Sequence, residues 1–339
     1  MSPLLRSRSN QGFTLIEMLI AIGITVVVMA SVFQILHRGQ ESFRREPEVA
    51  EMTANTRAGL DMVSRDLANA GLSSPPTLSI AWADGGGNTP DQVTILFADP
   101  DIPLAEPECA GGGGGCGTIK QSSTLFVDPS SFNPPVADPE AVYEDGQILF
   151  AIETEDCNGD GPSMIPLTLT SDPQLAGGKL RINHNPNGAF NPPGGFNDQV
   201  EEGCSVIGLF HVIQFRINPL PPADSPSLER RDLGLGEDWT PVAANIENLQ
   251  FQYSQGTAQL FEDVPSLVSD TNDPNTWITG VRISVSGRSA STNLSGGTTG
   301  VFAAADTHLR KTFTTSVILR NQLGQAAMWA AENDVAGWN

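Results

Sequence analysis

From residue 13 to residue 36 the chain is apolar almost without interruption, reading F-T-L-I-E-M-L-I-A-I-G-I-T-V-V-V-M-A-S-V-F-Q-I-L. About 20 helical residues at about 1.5 Å each cover the hydrocarbon core of a bilayer, so this run is long enough to span one. The helical period continues beyond it. Val49, Met52, Thr56, Leu60, Val63 and Leu67 recur at mixed spacings of three and four, with Glu51, Arg57, Asp61, Arg65 and Asp66 on the other faces. That pattern predicts one stripe turned toward a partner. Pro47 removes an intrahelical hydrogen bond and predicts a kink near the membrane surface. Ala70-Gly71 followed by Pro75-Pro76 is a helix stop. The prediction is a single bent helix from about residue 13 to residue 70, about 85 Å long, bare in its first half and packed on a body in its second.

From Ser73 the character changes to β-rich sequence interrupted by long polar loops. Residues 93–97, 125–127, 147–152, 180–183 and the strong run 206–217 read as strands bounded by Pro, Asp or Gly. So do 245–253, 277–289 and 309–321, where apolar and polar positions alternate as in half-buried strands. The tail after Gln322, with Trp329 and Trp338, reads as coil that docks on the body or on a partner. The fold class is α+β, a long N-terminal helix packed on a loop-rich antiparallel sheet domain.

Composition sharpens this. A formal net charge of -21 and a pI near 4.4 argue against nucleic acid as a partner, because phosphate binding needs a basic face. Plentiful glycine and proline favour a loop-rich β body over a helical bundle. Cys109, Cys116, Cys157 and Cys204 all follow the apolar run, so in an oxidising compartment disulfides are the first reading. Three connectivities are open, of which Cys109–Cys116 with Cys157–Cys204 is preferred; zinc is the alternative, without a C-x-x-C pair or a nearby histidine to support it.

Candidate chemistry is sparse. Asp156, Asn158 and Asp160 with Gly161 match the opening of a calcium loop. Pro162 then stands at position seven and Leu167 at position twelve, where a bidentate glutamate belongs, so Ca2+ competes with a plain Asx-rich turn. Glu153 and Glu155 are candidate donors from upstream. The run 111–115 is all glycine but lacks the Lys-Ser/Thr pair of a phosphate loop. His37, His184, His211 and His308 lie far apart, His211 reading as a strand residue with a satisfied ring. No G-x-S-x-G elbow or paired-carboxylate arrangement stands out, so no enzymatic activity is expected.

Glu17 remains, a carboxylate inside the apolar run that costs on the order of a few kcal/mol in hydrocarbon unless paired, protonated or near an interface. Arg6 and Arg8 precede the run without an acid, which by the positive-inside rule keeps the first residues cytoplasmic. An ordinary secretory signal, cut near Ala30, has a shorter apolar core and no internal acid. The segment Q-G-F-T-L-I-E-M-L-I-A instead resembles the type IV prepilin signal. The resemblance implies cleavage after Gly12, methylation of the new N-terminal Phe13, and a Glu17 that faces the amine of a neighbouring subunit.

Further on, E-N-L-Q-F-Q-Y, then W-I-T-G-V-R-I-S-V-S-G-R-S, then L-R-K-T-F-T-T-S-V-I-L-R-N resemble in their order the end of PilW-type minor pilins. These resemblances imply a pilin-like lollipop with residues 1–12 as leader, 13–36 as membrane half of the helix, 37–71 as its amphipathic half, and 72–339 as an exported body. In that body 73–245 is the variable middle and 246–321 the family-like end. The implied partners are a prepilin peptidase, other major and minor pilins, the inner-membrane assembly platform and a tip adhesin. The implied locations are the inner membrane and then the extracellular pilus. A J-type pseudopilin of type II secretion is the rival within the class, and a membrane-tethered binding or adhesion module the rival outside it.

Overall fold

The computed structural model describes residues 13–87, 89–108, 124–153, 164–186, 190–191, 203, 205–218, 225–258, 260–265, 273–292, 294 and 307–332. Helix α1 spans Leu15–Asn69 and runs through Pro47. Strands β1 (Ile80–Ala83) and β2 (Gln92–Ala98) follow, then β3 (Thr124–Val127), β4 (Ile148–Glu153), β5 (Met164–Thr168), β6 (Gln174–Ala176), β7 (Lys179–Asn183) and β8 (Ser205–Gly208). The chain continues through β9 (Phe210–Ile217), β10 (Ser227–Asp232), β11 (Thr240–Ala244), β12 (Ile246–Gln255), β13 (Ile278–Arg288) and β14 (Arg310–Ile318), and α2 spans Arg320–Glu332. The class is α+β, and neighbouring strands pair antiparallel.

The order β1-β2-β9-β10-β11 makes a central sheet, and β12-β13-β14 a second one. Alternation along β2 assigns its two faces. Val93, Ile95 and Phe97 join Leu60, Val63 and Leu67 of α1 and Phe251, Val281 and Ile283 of the second sheet in the largest core. Leu96 and Ala98 point the other way, onto Ile148, Phe150 and Ile152 of β4.

That second contact belongs to an inserted unit. β2 pairs directly with β9, Ala98 opposite Phe210, yet residues 99–209 lie between them in sequence. Within that stretch the sheets β3-β7-β6 and β5-β4-β8 enclose a separate core built on Val127, Leu149, Leu167, Leu180 and Ile207. The expected run 206–217 is therefore two strands in two sheets, broken at Leu209. The run reads as one strand because strand-forming residues continue on both sides of the break. Gly208 marks it in space, since a Cβ there would overlap the Leu104 side chain.

The docked half of α1 follows the expected stripe. Met52, Thr56, Leu60, Val63 and Leu67 are buried and Val49 is half-buried. The Thr56 hydroxyl donates back to the Met52 carbonyl at 2.6 Å and lies where a Cβ on Gly287 would sit, so glycine in β13 lets helix and sheet approach closely. Polar ties flank the stripe. Arg230 Nε meets Asp66 Oδ2 at 2.8 Å, and the Glu48 carboxylate accepts from the Ala290 N–H at 2.9 Å and the Ser291 hydroxyl at 2.6 Å. Those bonds hold the Glu48 carboxyl below the usual carboxylate range.

The tail expected as coil begins instead with a helix, inside the stretch read as the last strand. Leu319, Gln322 and Ala326 fall at helical spacing and are fully buried, Gln322 against Gly71 just past α1. Asn321 Nδ2 donates to the carbonyls of Asn69 and Ala70 at 3.3 Å, and Gln325 Nε2 to that of Gly71 at 3.4 Å. α2 thus supplies hydrogen-bond partners for carbonyls at the α1 terminus. Trp338 lies outside the described residues, as does the side chain of Trp329.

Candidate functional site

The segment that carries most chemistry is the start of α1. Phe13 is 91% exposed, and Thr14 is the N-cap with extended backbone, φ -81° and ψ 150°, so the helix begins only at Leu15. Thr14 and Glu17 form a reciprocal capping box. The Thr14 N–H and hydroxyl each donate to Glu17 Oε2 at 3.0 Å, and the Glu17 N–H donates to Thr14 Oγ1 at 3.3 Å. Glu17 Oε1 takes no part in the box. The pattern T-x-x-E ahead of an apolar run was legible as a capping box, and sequence reasoning that fixed on Glu17 passed over its partner Thr14.

Downstream the helix is long and apolar enough to cross a membrane. No residue from Phe13 to Pro47 is buried in the described structure, so Leu19, Ile20, Val27 and Phe33 present bare hydrocarbon. Its hydroxyls are satisfied within the helix: Thr25 donates to the Ala21 carbonyl at 2.7 Å and Ser31 to the Val27 carbonyl at 2.9 Å. Such internal pairing suits an apolar solvent, where an unsatisfied polar group costs several kcal/mol. Glu17 is the one ionisable group of the run.

Gly12 lies outside the described residues, and so do Cys109, Cys116, Cys157 and Cys204 and the calcium-like positions Asp156, Asn158 and Asp160. Leu167, which occupies the twelfth position of that loop, is a fully buried core residue of β5. Among the described residues no group of three or more His, Cys, Asp or Glu is placed to hold a metal ion.

The structure does bring together three groups that sequence spacing did not connect. His211, second residue of β9, has Nδ1 2.5 Å from Asp232 Oδ2 and Nε2 3.4 Å from Asp99 Oδ2. Asp232 Oδ1 also accepts the N–H groups of Val212 and Gly234, at 3.0 and 2.9 Å. These bonds hold the Asp232 carboxyl below its ordinary range against the opposing effect of burial, and the two carboxylates raise the His211 imidazole above its own. Asp99 and Asp232 lie more than 130 positions apart in the chain, so only the sheet register joins them.

Residues 7–33 match the Prokaryotic N-terminal methylation motif, the run that contains the capping box and the bare helix. No curated protein matches the chain. Among solved structures, a type IV-like pilin from Thermus thermophilus aligns over 80% of this chain and 97% of that one, at 8% identity and a TM-score of 0.33, a distant likeness.

Proposed function

Starting from a chain that is type IV prepilin-like over its N-terminal segment, we propose that this protein is a minor pilin of a type IV pilus. It is stored in the inner membrane by the first half of α1 and helps to initiate or cap the filament as part of a tip complex. A prepilin peptidase cuts after Gly12 and methylates the amine of Phe13. The observation that carries the reading is the methylation motif on a helix whose apolar run, 13–36, is bare and holds a single carboxylate.

The assembly chemistry follows from burial. Extracting about two dozen apolar residues from lipid exposes them to water at about 25 cal/mol per Å2 unless neighbouring helices cover them. Coverage by other pilins favours assembly, and Glu17 sets the register because an unpaired charge in that bundle is costly. Thr14 holds Oε2 of Glu17. Oε1 is left to accept from the amine of the adjacent subunit.

Two features support the pilus over a J-type pseudopilin. Of the strands that resemble PilW-type ends, β13 and β14 pack directly on α1, and β12 pairs with β13 beside them. The inserted unit enlarges the body on the face of the central sheet opposite α1, where it adds surface without disturbing helix packing.

The test is intact and N-terminal peptide mass spectrometry of the full chain expressed with and without a prepilin peptidase. A mature chain that starts at Phe13 with one added methyl group, only when the peptidase is present, is the expected result; a retained leader or a cut near Ala30 overturns it. Glu17→Ala is expected to leave membrane insertion intact and to remove the subunit from sheared surface fibres. Normal incorporation of that variant would contradict the register role. A tethered binding module would be independent of the pilus motor, whereas a tip subunit disappears from sheared fibres when the motor is absent.

A further inference from the structure

The inserted unit is joined to the central sheet by a neck, and Asp99, His211 and Asp232 close it. The chain leaves the sheet at Asp99, just past β2, and returns through Leu209 to β9, the Asp99 N–H donating to the Leu209 carbonyl at 3.0 Å. His211 stands at this point with its ring 4.9 Å from that of Phe97, opposite it on β2. Charged groups face the imidazole from both flanking strands: Asp99 past the end of β2 and Asp232 at the end of β10.

We propose that these three residues are a protonation-dependent clamp on the neck of the inserted unit. With both ring nitrogens protonated, the imidazolium donates toward both carboxylates and ties the outgoing segment to the β9–β10 pair. On losing one proton the ring keeps the hydrogen on Nδ1, because Asp232 is the closer partner and its side chain is almost wholly buried. Nε2 then turns a lone pair toward Asp99 Oδ2, and an attraction becomes a repulsion.

The direction follows from the charges. The clamped form is fully present below the ordinary histidine range and is lost as pH rises through the raised value that the two carboxylates give His211. The N–H of Asp99 and the reciprocal pair Ala105–Ile207, bonded at 2.9 and 2.7 Å, are the backbone bonds that report on it.

Hydrogen exchange of the full chain in detergent micelles, followed by mass spectrometry from pH 6 to 9 and corrected for intrinsic base catalysis, reads these amides. Protection at Asp99, Ala105 and Ile207 is expected to fall by about tenfold for each pH unit that the raised value lies above the unfolded one, with β12 and β13 unchanged. His211→Gln should remove the pH dependence. Asp99→Asn should flatten it while keeping the fold, since its amide can donate to the neutral Nε2. Neck protection in the unaltered chain that does not vary with pH overturns the proposal without recourse to any variant. So does the same pH dependence in Asp99→Asn.

Discussion

On the proposed processing, Gly12→Val is expected to keep residues 1–12 attached to the chain. The bond after Gly12 lies ahead of the Thr14 cap, before the helix begins at Leu15. A branched side chain on the residue before the cut displaces that bond in the site. A shift of about 1 Å in a reacting bond costs about a hundredfold in rate, enough to make processing fail on a cellular timescale. The consequence extends past the cut. Without cleavage the nitrogen of Phe13 stays an uncharged amide, so under the proposed pairing a neighbour's Glu17 would find no cation. Intact mass read beside the unaltered protein checks this; cleavage and methylation of Gly12→Val at an unchanged rate would sink the proposed role of Gly12.

Leu67→Ala destabilises the body, whereas Ile20→Ala does not. Leu67 is fully buried between the central sheet and the β12–β14 sheet. Its truncation removes transfer free energy and leaves a cavity, about 2–5 kcal/mol for such sites. Against a typical stability of about 5–15 kcal/mol that is a large fraction, and for a domain of this size each kcal/mol lowers Tm by about 2–4 °C. Ile20 is 58% exposed on the bare half, where substitutions stay within about 0.5 kcal/mol. Thermal melting by near-UV circular dichroism of both variants in detergent separates the two halves of α1. Equal Tm values for Leu67→Ala and the unaltered chain would show that the helix is not part of the core.

α1 was legible from sequence because its stripe is apolar at the helical period, with Thr56 the one gap, and that gap is filled by a hydroxyl that bonds within the helix. Strands β12 and β13 were legible for the same reason at a period of two, and β2 and β4 as short apolar runs between turn residues. β10 was not. Its sequence S-L-E-R-R-D is charged because each charge has a partner on another element, Glu229 with Arg216, Arg230 with Asp66, Arg231 with Gln214 and Asp232 with His211. β5 contains Pro166, which argues against a strand, and it survives at the edge of its sheet, where proline is tolerated. α2 was hidden by Gln322, a polar residue at the centre of its buried face.

The candidate site divides in the same way. Phe13, Glu17 and the bare run lie within one contiguous motif, so sequence order alone assembles them. The His211 cluster depends on strand register and had no linear signal.

The strands that cover α1 come late in the chain. Leu67 packs with Ile283 and Val285, more than 200 positions further on. At about 5–20 residues per second, synthesis leaves the docking stripe of α1 uncovered for on the order of ten to forty seconds. Met52, Leu60, Val63 and Leu67 therefore face water, or a chaperone, until β13 and β14 emerge. A nascent body arrested before residue 278 would leave exposed the part of that stripe that β13 and β14 cover, an aggregation hazard.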